Sequence, residues 1–322
     1  MWAEPKCEHR ERLPAPAAKL TGRMHDFAAS RNWTILLNLP LTLSPANLFS
    51  LPPVPLIHFD RTLPSEFVIF PRLLRSAKTP REPIRYTDPE PSLIFHTANA
   101  WDETSETGIA VNMLGCRFKS AKLVYAAGAV DVPMVEKAMG EDDVVQLHYF
   151  RFDIPPGNAT TGTISHSFPL ASIPFEFPAV PTQREMSASR YVYGCTMKSG
   201  SFDERLGGAA KVDCLVKLDV LALIAKGKHG GNDKNGPVDT RTSGEIIGDV
   251  QAGKQSDIHI FACPEGWYVQ ETRFVPKLAA SDEDDGFLLT YGELTQVIAA
   301  SKAECSVRRK LHHARWHALD EH

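Results

Sequence analysis

A chain of 322 residues with 43% hydrophobic residues can bury a large core in one or two domains. A formal net charge of −4 leaves no basic footprint for nucleic acid and no polybasic patch for an anionic membrane. Six cysteines, at 7, 116, 195, 214, 263 and 305, contain no CxxC pair, which excludes a zinc ribbon and a thioredoxin-like motif and reads as reduced thiols in a cytoplasmic protein.

Residues 1–22 carry no apolar run of the signal-peptide kind, and no segment reaches the roughly 18 apolar residues of a spanning helix. The expectation is therefore a soluble chain. MHDFA (24–28) places His25 ahead of a short strand-like run, NWTILLNLPL (32–41). The proline-broken apolar segment 41–59 reads as core or tunnel lining, with a peripheral membrane contact as a further reading. SEFVIFPRLL (65–74), PSLIFHTANAW (91–101) and GIAVNMLGCRF (108–118) follow as strands, and 132–140 as a short helical turn. VVQLHYFRFDI (144–154), SRYVYGCTM (189–197) and AAKVDCLVKLDV (209–220) continue the strand pattern, the first and third with a period near two. Residues 225–257 are rich in Gly, Asp, Asn and Lys and predict a long hydrophilic insertion. Strand segments return at 256–277 and 285–291, and 291–322 has helical character. The 24 prolines argue against long helices. The class is all-β, a propeller, sandwich or barrel, without a fixed-period repeat.

The chain has 12 histidines but no HExxH, so a metal site must be assembled from separate strand ends. His25 and His96 each fit two roles, a structural imidazole bonded to backbone or a ligand. Glu176 in PFEFPAV and Glu271 in VQETRFVPK are acids among apolar neighbours, a costly setting unless they are paired. The partner is either an arginine such as Arg184 or Arg273, or the free N–H of a metal-bound imidazole. A hydrolase built on His25 with Asp26 lacks a nucleophile segment of the G-x-S-x-G kind. The histidines at 312, 313, 317 and 322 read as a solvated tail rather than a metal cluster.

Taken together and in order, MHDFA, IFHTANAWDE, FEFP, RYVYG, ETRFVPK and EDDGFLL resemble the carotenoid cleavage oxygenases, a family that includes retinal-forming and stilbene-cleaving enzymes. The resemblance covers roughly residues 23–290. It implies a seven-bladed β-propeller with loops over its top face, and ferrous iron held by four histidines. Glutamates behind the ligands orient the imidazoles, and an apolar tunnel admits a long conjugated substrate. Dioxygen then cleaves one C=C bond. Carried over, His25 and His96 become iron ligands, and Glu176 and Glu271 each orient an iron-bound imidazole. Asp26 and Asn99 shape the loops that hold the ligands, and the acidic turn at 283–286 leads into a late strand.

The other two histidine segments of the family, its third glutamate and its closing segment have no counterpart in this sequence. The expectation is a partial propeller with an incomplete iron site. Its activity would be that of an Fe(II)-dependent dioxygenase acting on a carotenoid, apocarotenoid or stilbene-like substrate, with O2 as co-substrate. The alternative is an inactive propeller fragment with a binding role or none.

Overall fold

The computed structural model describes residues 24–49, 56–72, 82–106, 108–127, 144–202, 211–229, 236–294 and 308–314. The helical turn expected at 132–140 lies outside them, as do His9, His317 and His322.

Three four-stranded antiparallel sheets form the frame. The first runs β1 (Phe27–Ala29), β2 (Trp33–Asn38), β5 (Ser65–Pro71), β6 (Ile84–Asp88). The hairpin β3 (Leu41–Leu43) and β4 (Ile57–Phe59) is inserted between β2 and β5. The second is built from β7 (Leu93–Ser105), β8 (Gly108–Phe118), β9 (Gln146–Ile154) and β10 (Thr163–Pro169). The short helix α1 (Lys122–Ala127) follows β8. The third takes β11 (Glu176–Ala179), β12 (Tyr191–Thr196), β13 (Cys214–Asp219) and β14 (Ile258–Ala262). A fourth, three-stranded sheet pairs β15 (Trp267–Pro276), β16 (Gly286–Leu294) and β17 (Arg308–Ala314). Each sheet presents its first strand inward, with β1 packed on β7, β7 on β11 and β11 on β15. This is the blade order of a propeller. Among the described residues no strand pairing joins the fourth sheet back to the first.

Alternation sets which side chains meet between blades. In β2, Trp33, Ile35 and Leu37 are buried while the residues between them are partly exposed. Phe67 packs on both Phe150 and Phe152 with ring centroids near 5 Å, and Tyr86 closes the cluster against Phe152. Gly194, in RYVYG, is the contact that lets β12 lie against β11. A Cβ there would fall 2.5 Å from the Phe175 ring and 3.0 Å from the Glu176 carbonyl oxygen.

The acidic turn before β16 is structural. Glu283 accepts from Ser189 Oγ at 2.8 Å and from the N–H groups of Arg190 and Tyr191 at 2.7 and 3.0 Å, and it pairs with Arg184 at 3.0 Å. Asp284 meets Lys217 on β13. The turn thus ties the fourth sheet to the third.

Two expectations differ from the structure. The insertion predicted at 225–257 is flanked and partly filled by helices, α2 (Val220–His229) and α3 (Ser243–Gln251). Val220, Leu223 and Ile224 are buried at helical spacing in α2, and a capping box between Thr242 and Glu245 starts α3. The tail expected to be helical instead contributes β17, whose backbone pairs antiparallel with β16 from Leu288↔Ala314 to Leu294↔Arg308. Ladder pairing along an open strand edge overrides the weak helix propensity of that composition.

Candidate metal centre

The residues singled out by sequence converge on the inner strands. His25 lies just ahead of β1, His96 in β7, Glu176 at the start of β11 and Glu271 in β15. Three of these strands break register where the site residue sits: β7 between Ile94 and Thr97, β11 between Glu176 and Ala179, and β15 between Val269 and Thr272. A bulge adds local twist and re-aims a side chain, which is how an inner strand can turn one residue away from its regular face.

The rings of His25 and His96 lie edge to face with centroids 5.2 Å apart. Their tautomers are fixed by partners that can only accept. Nδ1 of His25 donates to the Phe95 carbonyl at 3.1 Å. Nδ1 of His96 donates to Glu176 Oε2 at 2.6 Å, a short charge-assisted bond. Each imidazole therefore keeps the lone pair on Nε2, the atom a metal would take. The Glu176 side chain is 4% exposed and that of His96 33%, so the carboxylate sits behind a ring that stays partly exposed.

Glu176 Oε2 also accepts the Phe177 N–H at 3.0 Å. Phe177 adopts φ +54°, an unusual conformation for a bulky residue, and its ring packs on His96 at 5.5 Å. The other oxygen, Oε1, is buried without a hydrogen-bond partner. The buried Cys116 thiol interacts with the same carboxylate. Burial, and after it Glu176, pushes that thiol well above its ordinary range. Among the described residues no arginine, neither Arg184 nor Arg273, pairs with Glu176; Arg184 binds Glu283 instead.

The hydrogen bond to Glu176 raises the pKa of His96 most; burial opposes it, and the charges of Glu176, Asp26 and Glu271 add to the rise. Glu271 thus contributes negative field at the ring, although it is exposed and, among the described residues, no imidazole bonds to its carboxylate. Asn99 does not touch the histidines. Its amide bonds Ser187 O at 2.8 Å and Met186 N–H at 3.0 Å, holding a turn in which Met186 has φ +59°.

Two imidazoles that both bond acceptors through Nδ1 present Nε2 donors that fit a ferrous ion, for which imidazole is a suitable ligand. Their separation is one that a single ion can span with metal–nitrogen bonds of about 2.1 Å. Among the described residues no cluster of three or more His, Cys, Asp or Glu side chains completes a metal site. Thr97 and Cys116 were not identifiable as site residues from sequence. Both join the site through pairings between blades, which leave no local pattern.

A family profile described as retinal pigment epithelial membrane protein matches residues 4–305. A carotenoid dioxygenase, carX, of Gibberella fujikuroi is 37% identical over 83% of this chain and 43% of its own length. A carotenoid 9,10(9',10')-cleavage dioxygenase of Pisum sativum is 28% identical over 83% of this chain and 41% of its own length. Among solved structures, the lignostilbene dioxygenase of Pseudomonas brassicacearum superposes with a TM-score of 0.56 at 18% identity, covering 85% of this chain and 49% of that one. The cobalt-substituted apocarotenoid oxygenase of Synechocystis gives a TM-score of 0.52 at 20% identity over 85% and 47%. The chain thus spans less than half the length of these relatives, and its sheets are related to the seven-bladed propeller superfamily, with no pairing among the described residues that closes a full ring.

Proposed function

The chain belongs to the carotenoid cleavage oxygenase family, and from that premise we propose that it acts as a non-haem Fe(II)-dependent dioxygenase, cleaving a C=C bond of a carotenoid, apocarotenoid or stilbene-like substrate. The observation that carries this reading is a pair of histidines whose Nδ1 atoms are both committed to acceptors, whose Nε2 atoms have no hydrogen-bond partner among the described residues, and whose ring centroids lie 5.2 Å apart.

In this reading His25 and His96 hold the iron, which when bound supplies the activation of O2 that closed-shell side chains cannot. Glu176 keeps His96 in the tautomer with Nε2 unprotonated and orients its ring. Phe177 covers the imidazole and excludes water from that side. Glu271 contributes negative charge facing the site. Neutral ligands leave the positive charge of the ion largely uncompensated, while the buried carboxylate behind one of them moderates it.

We place the protein in the cytoplasm with a peripheral membrane contact for uptake of its apolar substrate. The support is the hairpin β3–β4, where Leu43, Phe49, Leu56 and Ile57 are exposed. Among the described residues no helix is long and apolar enough to cross a membrane.

A second reading is a binding scaffold without turnover, in which the two histidines, joined by no third ligand among the described residues, hold no catalytic iron. Oxygen uptake with a panel of carotenoids, apocarotenoids and stilbenes separates the two. The dioxygenase reading expects iron-dependent O2 consumption with one carbonyl product from each half of the substrate. Substrate binding with no iron-dependent uptake across the panel would support the scaffold.

A further inference from the structure

His25 and His96 belong to different blades, and His25 and Phe95 are 70 positions apart in the chain. Their spacing therefore depends on how β1 is fixed against β7. The fixing point is specific. Asp26 Oδ2 accepts both the backbone N–H and the side-chain hydroxyl of Thr97, each at 2.8 Å. Its other oxygen, Oδ1, accepts the Phe27 N–H at 2.7 Å, which orients the carboxylate from its own strand. The Thr97 hydroxyl also lies 3.2 Å from the Phe27 carbonyl, but its single proton goes to the nearer, charged acceptor. Thr97 sits at the register break of β7, where the strand leaves its regular pairing with β8 and the Thr97 N–H turns toward Asp26. Asp26 follows His25 directly and Thr97 follows His96 directly, so each end of the bridge adjoins one of the two rings.

We propose that Asp26 and Thr97 are positioning residues, a latch between neighbouring blades that sets the His25–His96 separation before any metal arrives. The latch bears on iron only through the reading that these two histidines are the ligands. The expected consequence is preorganisation, in which the imidazoles hold their edge-to-face arrangement without an ion and binding requires little rearrangement.

The test uses the whole chain with labelled histidines, metal-free, and the variants Asp26→Asn, Thr97→Val and Thr97→Ser. Proton NOEs between the two imidazole rings report the spacing, Co(II) titration followed by visible absorption reports the affinity, and thermal melting reports the fold. The unmodified chain shows the inter-ring NOE. Thr97→Val and Asp26→Asn lose it and bind Co(II) roughly 10-fold more weakly, in the range known for partners that orient ligands. Thr97→Ser, which keeps the hydroxyl, restores both. A merely structural threonine would give Ser and Val variants that melt alike and share the same NOE and the same affinity. The latch is overturned by that result, or by an inter-ring NOE that survives in both Thr97→Val and Asp26→Asn. An unmodified chain that shows the NOE and its loss in the variants, but takes up no Co(II), upholds the latch and overturns the iron reading alone.

Discussion

Replacing Glu176 by Gln is the sharpest test of the proposed metal site. Oε2 of Glu176 receives two N–H donors, from His96 at 2.6 Å and Phe177 at 3.0 Å, so the amide oxygen of a glutamine must take that position. The amide nitrogen then replaces Oε1, which has no hydrogen-bond partner among the described residues. One unpaired buried atom is exchanged for another, and the fold changes little. What is lost is charge. A net hydrogen bond to an ionised group contributes about 1.5–3 kcal/mol and a neutral one about 0.5–1.5 kcal/mol. The imidazole becomes a less basic donor, and metal affinity falls by about 1–2 kcal/mol, or roughly 5–30-fold. Co(II) titration of the Glu176→Gln variant, monitored by absorption and by calorimetry, measures this directly. A variant that melts with the unmodified chain and binds Co(II) within about two-fold of it would refute the argument that Glu176 acts through His96.

Three further outcomes follow from the same structure. Because the bond to Glu176 raises His96 above its ordinary pKa of 6.5, protons compete with metal at higher pH than for a free imidazole. Co(II) affinity should climb with pH through and somewhat above 6.5 in the unmodified chain, and the Glu176→Gln variant should shift that rise to lower pH. His148 is buried and its pKa lies well below 6.5, first through burial and then through Arg117 and Lys119. A lowered folded pKa contributes stability that is complete above the unfolded value and lost as pH falls toward the folded one. Urea melts should therefore lose stability below pH 6.5 at up to about 1.4 kcal/mol per pH unit from this group, and His148→Gln should flatten that slope. Gly194→Ala should cost about 1–3 kcal/mol, read as a lower denaturation midpoint, because its Cβ would meet the Phe175 ring at 2.5 Å. A midpoint equal to that of the unmodified chain would contradict the close approach of β12 to β11.

Much of the site was legible because its residues stand in short runs with distinctive neighbours. His96 follows Leu93–Phe95 and precedes a polar stretch, and His25 precedes a strand in the same way. The longer strand segments were equally readable, although the run at 256–277 divides into β14 and β15 at a turn through Gly266, and β6, β10 and β11 were not read as strands. What could not be read is everything created between blades. The pairing of Asp26 with Thr97 spans 71 positions and that of His96 with Glu176 spans 80, and no local periodicity encodes either. The helices α2 and α3 were hidden by composition. The Gly- and Lys-rich stretch suppressed a helix reading, although Thr242 with Glu245 ahead of Ile246 and Ile247 is a capping-box signature that could have revealed α3. β17 was misread for the opposite reason, since its propensity favours a helix and only the edge of β16 makes it a strand.

The dioxygenase reading requires that His25 and His96 jointly hold one ferrous ion. Anaerobic Fe(II) titration of the purified chain, with X-ray absorption at the iron edge, measures stoichiometry and the imidazole contribution together. The account predicts one Fe(II) per chain with two imidazole ligands, and loss of that binding in both His25→Ala and His96→Ala. The account is contradicted by a chain that takes up no stoichiometric Fe(II), or whose uptake and imidazole signature are unchanged when either histidine is removed.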